Sequence, residues 1–339
     1  MLLRSGPSRS RATMRGVPRI AAAGVDWVMR GVQDAAAERR ALVAGLLAVP
    51  ASIEPRYFYD RVGCALFGAI CELPEYYPTR TEAAIFERHR ARIAAAAGTG
   101  KQLVDLGAGD CRKAAAWMPW LRPQRYLAVD IAESTLASAL AQLALEQPSL
   151  DITGVVMDFA RGLDLQRELA GGPATFFYPG SSIGNFAPDE AERFLRSIRR
   201  HCRACEGSGL LIGVDTRKDP RRLEAAYADG AGVTAAFNRN VLNHVNRVLG
   251  TRFVPDAFDH VAIYDENLGR VEMHLQARST QTVEIEGIAR RFEGGSRIHT
   301  ENSYKYAPQE FAAMLDRAGF DRVHCWQDDA GDFAVYYAW

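Results

Sequence analysis

Lysine, net charge and long apolar runs are all scarce in this sequence. Only four of the 41 basic residues are lysine, at positions 101, 113, 218 and 305, so each lysine is worth locating in the fold. Basic and acidic residues balance at 41 each, which leaves no long-range field to hold a phosphate backbone. No apolar run approaches the roughly 18 residues of a membrane-spanning helix, and no signal-peptide core follows the basic start. We therefore expect a soluble, cytoplasmic protein that binds neither nucleic acid nor a membrane.

Cysteine is also sparse, with six residues in 339. That number is too small for a disulfide scaffold in a chain of this length. Cys202 and Cys205, preceded by His201, have the spacing of half a zinc site, but no second ligand pair lies at a suitable distance in the sequence. We expect no metal centre.

The length predicts about two domains, and 48% apolar residues are enough for a core in each. The first 25 residues contain five arginines and no acid, which is typical of an unstructured extension, and we predict disorder over residues 1–30. A segment rich in aromatics follows between residues 53 and 80 without a helical or strand period, a pattern that suits a binding cap better than an ordinary core element.

Predicted strands alternate with predicted helices between residues 101 and 214. This βα alternation indicates an α/β fold with a doubly wound, mostly parallel sheet and a ligand at the carboxyl ends of its strands. After Asp215 come a helical stretch broken near Gly230, three strand-like runs that suggest an antiparallel sheet, and a final helix and strand. We predict a Rossmann-like domain over residues 80–215 and a second, discontinuous α+β substrate-binding domain over residues 31–79 plus 216–339.

A glycine turn after the first strand of this region is the strongest local signal for a cofactor. Gly107 and Gly109 follow a buried strand, and the next strand ends in Asp130, where a carboxylate can accept hydrogen bonds from both ribose hydroxyls of an adenosine. Arg112 occupies the position where a dinucleotide fold needs a third glycine, which favours S-adenosylmethionine (SAM) over a nicotinamide cofactor. Asp158 and Phe159 end a third strand, where they can bind and cover an adenine. An ordinary strand-to-helix turn remains the alternative.

Several further motifs resemble one known family, the SAM-dependent L-histidine Nα-methyltransferases of ergothioneine biosynthesis. The resemblance runs from about residue 53 to the C-terminus. Its motifs are Tyr57-Phe-Tyr-Asp60, Leu73-Pro-Glu-Tyr-Tyr-Pro-Thr-Arg80, Gly180-Ser-Ser-Ile-Gly-Asn185, Lys218-Asp219 followed by Ala226-Tyr227, the segment 231–240, Val271-Glu-Met273 and Thr300-Glu-Asn-Ser303.

The resemblance implies an enzyme that methylates the α-amine of histidine three times to give hercynine, with SAM as the methyl donor. It places cofactor contacts on Gly107, Lys113, Asp130, Asp158 and Phe159, to which the glycine turn adds Gly109. It places substrate contacts on Tyr59, Phe67, Tyr76, Gly180, Ser182, Asn185, Tyr227, Met273, Glu301 and Ser303.

The resemblance also implies a role for some of these residues. Asn185 and Tyr227 would hold the substrate carboxylate, Tyr59 would lie beside the reacting amine, and Glu301 with Ser303 would recognise the imidazole. Tyr59 is the candidate catalytic residue, as an acceptor of an amine hydrogen bond.

Two departures and two alternatives accompany this interpretation. The glycine loop reads Gly-Ala-Gly-Asp-Cys where actinobacterial members have Gly-Ser-Gly-Thr-Ser, and Ser182 replaces a threonine.

The substrate could be another aromatic amino acid such as tryptophan, or the chain could be a SAM-binding regulatory protein without catalysis. We expect a monomer whose partner is a small amino acid.

Overall fold

A computed structural model describes residues 24–30, 35–169 and 171–339. Its α-helices are α1 (Ala35–Leu47), α2 (Arg61–Cys71), α3 (Tyr77–Ala97), α4 (Arg112–Leu121), α5 (Glu133–Glu146), α6 (Pro188–Ala204), α7 (Pro220–Tyr227), α8 (Val233–Leu249) and α9 (Pro308–Arg317). Its strands are β1 (Val25–Met29), β2 (Ala51–Ser52), β3 (Gln102–Leu106), β4 (Arg125–Asp130), β5 (Asp151–Val156), β6 (Ala174–Tyr178), β7 (Gly209–Asp215), β8 (Phe258–Asp265), β9 (Arg270–Ala277), β10 (Gln281–Ile285), β11 (Ile288–Phe292), β12 (Arg297–Tyr304), β13 (Val323–Gln327) and β14 (Phe333–Ala338).

The larger sheet has eight strands in the order β1-β5-β4-β3-β6-β7-β14-β13. The first six of these strands run parallel to one another, and β14 is antiparallel to both β7 and β13. Strands β3, β6 and β7 are buried along their whole length, as expected of central strands with helices on both faces. This architecture confirms the predicted α/β, doubly wound sheet. Its strand order reverses between β3 and β6, the place where such folds bind ligands.

The sequence prediction is wrong for part of the extension assigned to residues 1–30. Val25–Met29 form β1, which pairs in parallel with β5 at the edge of the large sheet. The alternating apolar side chains of this short strand pack on that edge: Trp27, for example, lies against Gly154, where a Cβ would approach its ring to 2.6 Å. Residues 1–23 lie outside the described part of the chain.

The predicted boundary at residue 215 is also wrong for the last part of the chain. Strands β13 and β14 belong to the large sheet, and helix α9 packs on that sheet, so none of the three belongs to a second domain. Phe311 and Leu315 of α9 pack in the same buried cluster as Phe176 and Leu210 of the central strands. The reason is that β14 is apolar on both faces and fully buried, so it completes the sheet beside β7.

A second lobe stands at the carboxyl edge of the large sheet. Its four-stranded sheet has the order β2-β12-β9-β8, and its core combines residues between 42 and 77 with residues between 223 and 298. The predicted antiparallel strands near residues 260 and 271 pair as β8 and β9, whereas the run near residue 281 forms a separate hairpin of β10 and β11. Strand β12 has an irregularity in its pairing between His299 and Glu301, which re-aims the side chains that follow.

In the described ranges, no helix is both long and apolar enough to cross a membrane.

Candidate active site

The glycine turn after β3 adopts a backbone that few side chains tolerate. Gly107 and Gly109 have φ of 73° and 53°, in the left-handed region. The Gly109 N–H donates to Asp130 Oδ2 at 2.8 Å, and the Ala132 N–H donates to Oδ1 at 2.8 Å. Burial raises the pKa of Asp130, and these backbone donors oppose the shift. One carboxylate therefore fixes the glycine turn and the start of α5, while each oxygen keeps a lone pair for a ligand.

The next two predicted cofactor residues lie after β5. The Phe159 ring approaches Gly107, where a Cβ would lie 3.8 Å from its edge, and stacks at a tilt on Phe194 with 5.5 Å between ring centroids. The Asp158 side chain caps its own turn through the Ala160 N–H and lies 3.4 Å from Arg56 Nη1. The open glycine turn, the Asp130 carboxylate with its free lone pairs and the acid–aromatic pair of Asp158 and Phe159 are the types of group that the adenosine part of SAM requires.

Lys113 faces the same edge of the sheet through a partner that the sequence did not indicate. Its Nζ donates to Glu82 Oε2 at 2.6 Å, and the Gly180 N–H donates to Glu82 Oε1 at 2.7 Å. Glu82 is 1% exposed, whereas the Lys113 side chain is 41% exposed. Burial alone would lower the pKa of Lys113, but the Glu82 carboxylate raises it above its ordinary value. Glu82 thus connects the cofactor helix α4 to the loop after β6.

A cavity between the carboxyl edge of the large sheet and the second lobe brings together all ten substrate residues predicted from the sequence. It is lined by Tyr59, Phe67, Ile70, Tyr76, Pro78, Gly180, Ser181, Ser182, Asn185, Asp215, Ala226, Tyr227, Thr234, Phe237, Met273, Glu301 and Ser303. The loop after β6 reaches the second lobe because Gly184 has no side chain: a Cβ there would lie 2.7 Å from the Tyr304 carbonyl oxygen.

Aromatic rings form one wall of this cavity. Phe67 of α2 contacts Tyr59, Tyr76 and Phe237 edge-on or at a tilt, with centroid distances of 6.0–6.3 Å. Phe237 is held by α8, whose first turn is capped by Asp229 through the N–H groups of residues 233 and 234. Burial, with Glu301 and Asp130 nearby, raises the pKa of Tyr59 well above its ordinary value, so Tyr59 is a neutral phenol.

Glu301 of β12 forms another part of the cavity wall. It is 9% exposed, pairs across the sheet with Met273 of β9, and accepts a hydrogen bond from Asn185. Burial raises the pKa of Glu301 to about 7, although Lys305 and Asn185 both oppose the shift. A carboxyl group that titrates near neutrality therefore faces the cavity.

A network of buried charges supports this wall from behind. Lys305 Nζ lies 2.8 Å from Asp215 Oδ2 and 2.8 Å from Ser303 Oγ, and it donates to the Tyr227 hydroxyl at 2.9 Å. Lys218 Nζ donates to Asp215 Oδ1 at 2.6 Å and to the Tyr77 hydroxyl at 2.8 Å. Burial alone would raise the pKa of Asp215, but Lys305 and Lys218 hold it below its ordinary value.

The sequence missed Glu82, Phe237, Asp215 and Lys305 as site residues. The scarcity of lysine was the available signal, because three of the four lysines lie at this edge of the sheet. The fourth, Lys101, contacts the Gly207 carbonyl and the Tyr337 hydroxyl elsewhere. Glu82 and Phe237 lie on ordinary helices, and only the tertiary structure places them here. Throughout the described residues, no group of three or more His, Cys, Asp or Glu side chains could hold a metal ion.

Comparison with known proteins adds an independent line of support. The sequence matches a family model described as histidine-specific methyltransferase, SAM-dependent, over residues 38–339. A histidine N-alpha-methyltransferase of Mycolicibacterium smegmatis is 42% identical over 90% of this chain and 96% of its own length. A second, from Mycobacterium tuberculosis, is 39% identical over 88% and 94%. The ergothioneine biosynthesis protein 1 of Schizosaccharomyces pombe is 28% identical over 82% of this chain and 37% of its own length.

Proposed function

Because the chain belongs to the family of histidine-specific, SAM-dependent methyltransferases, we propose that it transfers three methyl groups from SAM to the α-amine of L-histidine. The product would be hercynine, for use in ergothioneine-type biosynthesis. The observation that carries the proposal is the cavity that brings Glu301, Asn185 and Tyr227 together at the carboxyl edge of a class I methyltransferase sheet.

The protein's main task in this reaction is positioning. SAM, when bound, supplies an electrophilic methyl group on its sulfonium. The residues of the chain hold the neutral amine in line with that group, and alignment of this kind can contribute roughly 7 to 11 kcal/mol. Gly107, Gly109, Lys113, Asp130, Asp158 and Phe159 would bind the cofactor. No covalent nucleophile or metal is required.

Each end of histidine finds a matching group in the cavity. Asn185 and Tyr227 would bind the carboxylate, and Glu301 with Ser303 would bind the imidazole. Tyr59, a neutral phenol, would accept a hydrogen bond from the amine. This contact would orient the lone pair of the amine toward the methyl group. The apolar rings of Phe67 and Tyr76 would exclude water and disfavour the charged ammonium. The proton would leave through water.

We also propose that the enzyme is a cytoplasmic monomer. One chain supplies all ten of the substrate contacts expected from the sequence to the cavity, which supports a site that works within one subunit. Size-exclusion chromatography with light scattering measures the mass directly, and a dimer at micromolar concentration would contradict the monomer.

A mass-spectrometric screen of the twenty amino acids with SAM tests the main proposal. We expect mass gains of one, two and three methyl groups on histidine alone, ending at the trimethylated product. Transfer to tryptophan and not to histidine would favour the alternative substrate. SAM binding without transfer to any amino acid would favour a regulatory protein.

The Glu301→Ala variant tests which residue recognises the imidazole. A cavity without this carboxylate loses the acceptor for the ring N–H, so we expect weaker histidine binding and relaxed selectivity toward other aromatic amino acids. Unchanged KM and kcat for histidine would contradict the assignment.

A further inference from the structure

Lys305 is a buried ammonium group that the proposed reaction has not yet used. Its side chain is 1% exposed, and its three donors meet Asp215, Tyr227 and Ser303 at 2.8–2.9 Å. Burial alone would lower the pKa of Lys305, but Asp215 and Tyr227 raise it above its ordinary value, so the group is charged. A fully buried charge with complete hydrogen bonding is costly to place and defines the orientation of whatever it contacts.

The contacts of Lys305 restrict what the two hydroxyl groups can offer to a substrate. The Tyr227 and Ser303 oxygens lie 2.7 Å apart and share one hydrogen bond. Each of them also accepts a hydrogen bond from Lys305. The pair has two hydroxyl hydrogens, of which one is used between them. One hydrogen therefore remains for a substrate atom that accepts. When Ser303 donates to Tyr227, this is the Tyr227 hydrogen, which can meet the carboxylate, and Ser303 keeps a lone pair for an imidazole N–H.

The charge behind these hydroxyls has the sign that a carboxylate needs. Lys305 and Lys218 share the single carboxylate of Asp215, so this group of three keeps one excess positive charge. Asp215 is 0% exposed, and water does not screen the group on that side. Glu301 also lines the cavity and interacts electrostatically with Lys305, and its own pKa of about 7 leaves it only partly charged at neutrality.

We propose that Lys305 is a positioning residue that acts through Tyr227 and Ser303 to select substrates with a free α-carboxylate. The inference rests on the proposed function and deepens it. Lys305 polarises the hydroxyl that meets the carboxylate, and it holds that hydroxyl as a donor. An amino-acid amide, which brings an N–H₂ group and no negative charge, gains much less from the same wall.

The test compares L-histidine with L-histidinamide in the wild-type enzyme and in Lys305→Met. Methionine fills a similar volume without the charge, and Asp215 keeps Lys218 and Tyr77 as partners. We expect the variant to raise KM for histidine about tenfold to a hundredfold, as for the loss of a charge-assisted hydrogen bond, with a smaller change in kcat. KM for histidinamide should change less than about threefold, because the amide carries no negative charge and loses only a neutral contact. Histidine and histidinamide differ in amine basicity, but this difference does not affect the comparison, because each substrate is measured in both enzymes.

Lys218→Met is the matched control. It removes an ammonium from the same carboxylate, but Lys218 contacts Tyr77 and the Thr216 carbonyl and neither of the two hydroxyls. We expect a loss of thermal stability similar to that of Lys305→Met. More of the preference for histidine over histidinamide should be retained than in Lys305→Met, because the contacts of Lys305 with both hydroxyls remain even though the excess charge is lost. Equal loss of the preference in both variants would overturn the proposal, because a contact through Tyr227 and Ser303 would then not be the cause.

Folding is checked by the melting temperature and by binding of S-adenosylhomocysteine. If Lys305→Met does not fold, Lys305→Gln replaces it, since the amide keeps donors without the charge; the preference should fall in the same direction by a smaller factor. If KM rises by the same factor for histidine and for histidinamide in either variant, Lys305 has only a structural role, and the proposal is overturned.

The proposed function has its own point of failure in this experiment. A wild-type enzyme that methylates neither ligand contradicts the function. The preference is then read as the ratio of the dissociation constants of histidine and histidinamide with S-adenosylhomocysteine present. A ratio that is the same in wild type and Lys305→Met overturns the role of Lys305 independently of turnover.

Discussion

The two sides of the cleft are built in different ways. On the cofactor side, Gly109 and Asp130 come from consecutive βα units, and the Asp130 carboxylate is fixed by backbone N–H groups of its own neighbourhood. On the substrate side, the contacts join Asp215 and Tyr227, which belong to the consecutive elements β7 and α7, to Lys305, which follows β12 much later in the chain. These contacts run from side chain to side chain. The first site is therefore formed by backbone contacts that are local in the sequence, whereas the second forms only when the tertiary structure brings its side chains together.

This difference predicts which measurements respond to a mutation on each side. Removing a backbone-held carboxylate should change cofactor binding and leave the opposite wall intact. Removing a member of the side-chain network should change substrate binding and stability together, because its partners are left buried without a donor. Glu82 contacts both sides, through Lys113 of α4 and through the Gly180 N–H.

Asp130→Ala should have the largest effect and tests the independence of the cofactor side. The substitution removes the acceptor for the ribose hydroxyls and the tie to Gly109, so we expect SAM affinity to fall by about a hundredfold or more. Calorimetry with SAM measures it. Asp110→Ala, an exposed acid of the same loop, is the control and should bind SAM nearly normally. Normal SAM binding by Asp130→Ala would break the comparison.

Glu82→Gln should come next and connects the two sides. An amide keeps one acceptor but not the charge that pairs with Lys113, so we expect KM to rise about tenfold for both SAM and histidine. Steady-state kinetics with each substrate varied measures the two constants. Asp105→Asn is the control, because Asp105 is equally buried but contacts Tyr126. An effect on SAM alone would show that Glu82 belongs only to the cofactor side.

The pH dependence of histidine binding isolates the substrate side. Glu301 has a pKa of about 7 and free imidazole one near 6.5, and the bound pair shares one proton. Below both values a proton must leave on binding, and above both a proton must be taken up, so affinity should peak between them. We expect a fall of about threefold to tenfold from pH 7 to pH 8.

Glu301→Gln supplies the comparison for that profile. Glutamine does not titrate, so affinity measured by calorimetry with S-adenosylhomocysteine should no longer fall above pH 7. A decline of the same size in both proteins would assign the titration to another group.

Tyr59→Phe should have the smallest effect and concerns the reacting amine. Loss of one neutral hydrogen bond should lower kcat about fivefold with little change in SAM affinity. Tyr57→Phe, in the same 3₁₀ turn but with its hydroxyl on the Glu38 carbonyl, should keep normal turnover. Unchanged kcat at saturating histidine would remove Tyr59 from the chemical step.

The sequence predicted the local parts of this molecule better than the distant ones. Strand β3, helix α4, strand β6 and the glycine turn lie where apolar runs and turn residues place them, since each is determined by neighbours in the chain. Strand β14 also carries a clear apolar pattern, but that pattern does not say which strand it pairs with. The partner, β7, lies more than a hundred residues earlier, and only the three-dimensional packing selects it.

The candidate site shows the same limit. A carboxylate after a strand could be predicted as a nucleotide contact, whereas Thr300-Glu-Asn-Ser303 taken alone has the polarity of a solvent-exposed edge. Its burial follows from Gly184 and the loop after β6, which cover β12 from outside. The resemblance to a family pointed to Glu301 and Ser303. It did not point to Lys305, whose role depends on contacts that no linear pattern contains.

The position of β14 in the sequence determines when the large sheet can be completed during protein synthesis. The ribosome delivers the glycine turn, Asp130 and Asp158 long before β14, yet the Phe333–Ala338 backbone must pair with β7 to close the sheet next to Asp215. The second lobe is synthesised in this interval. β7 therefore gains its antiparallel neighbour β14 only after the intervening second lobe has been synthesised.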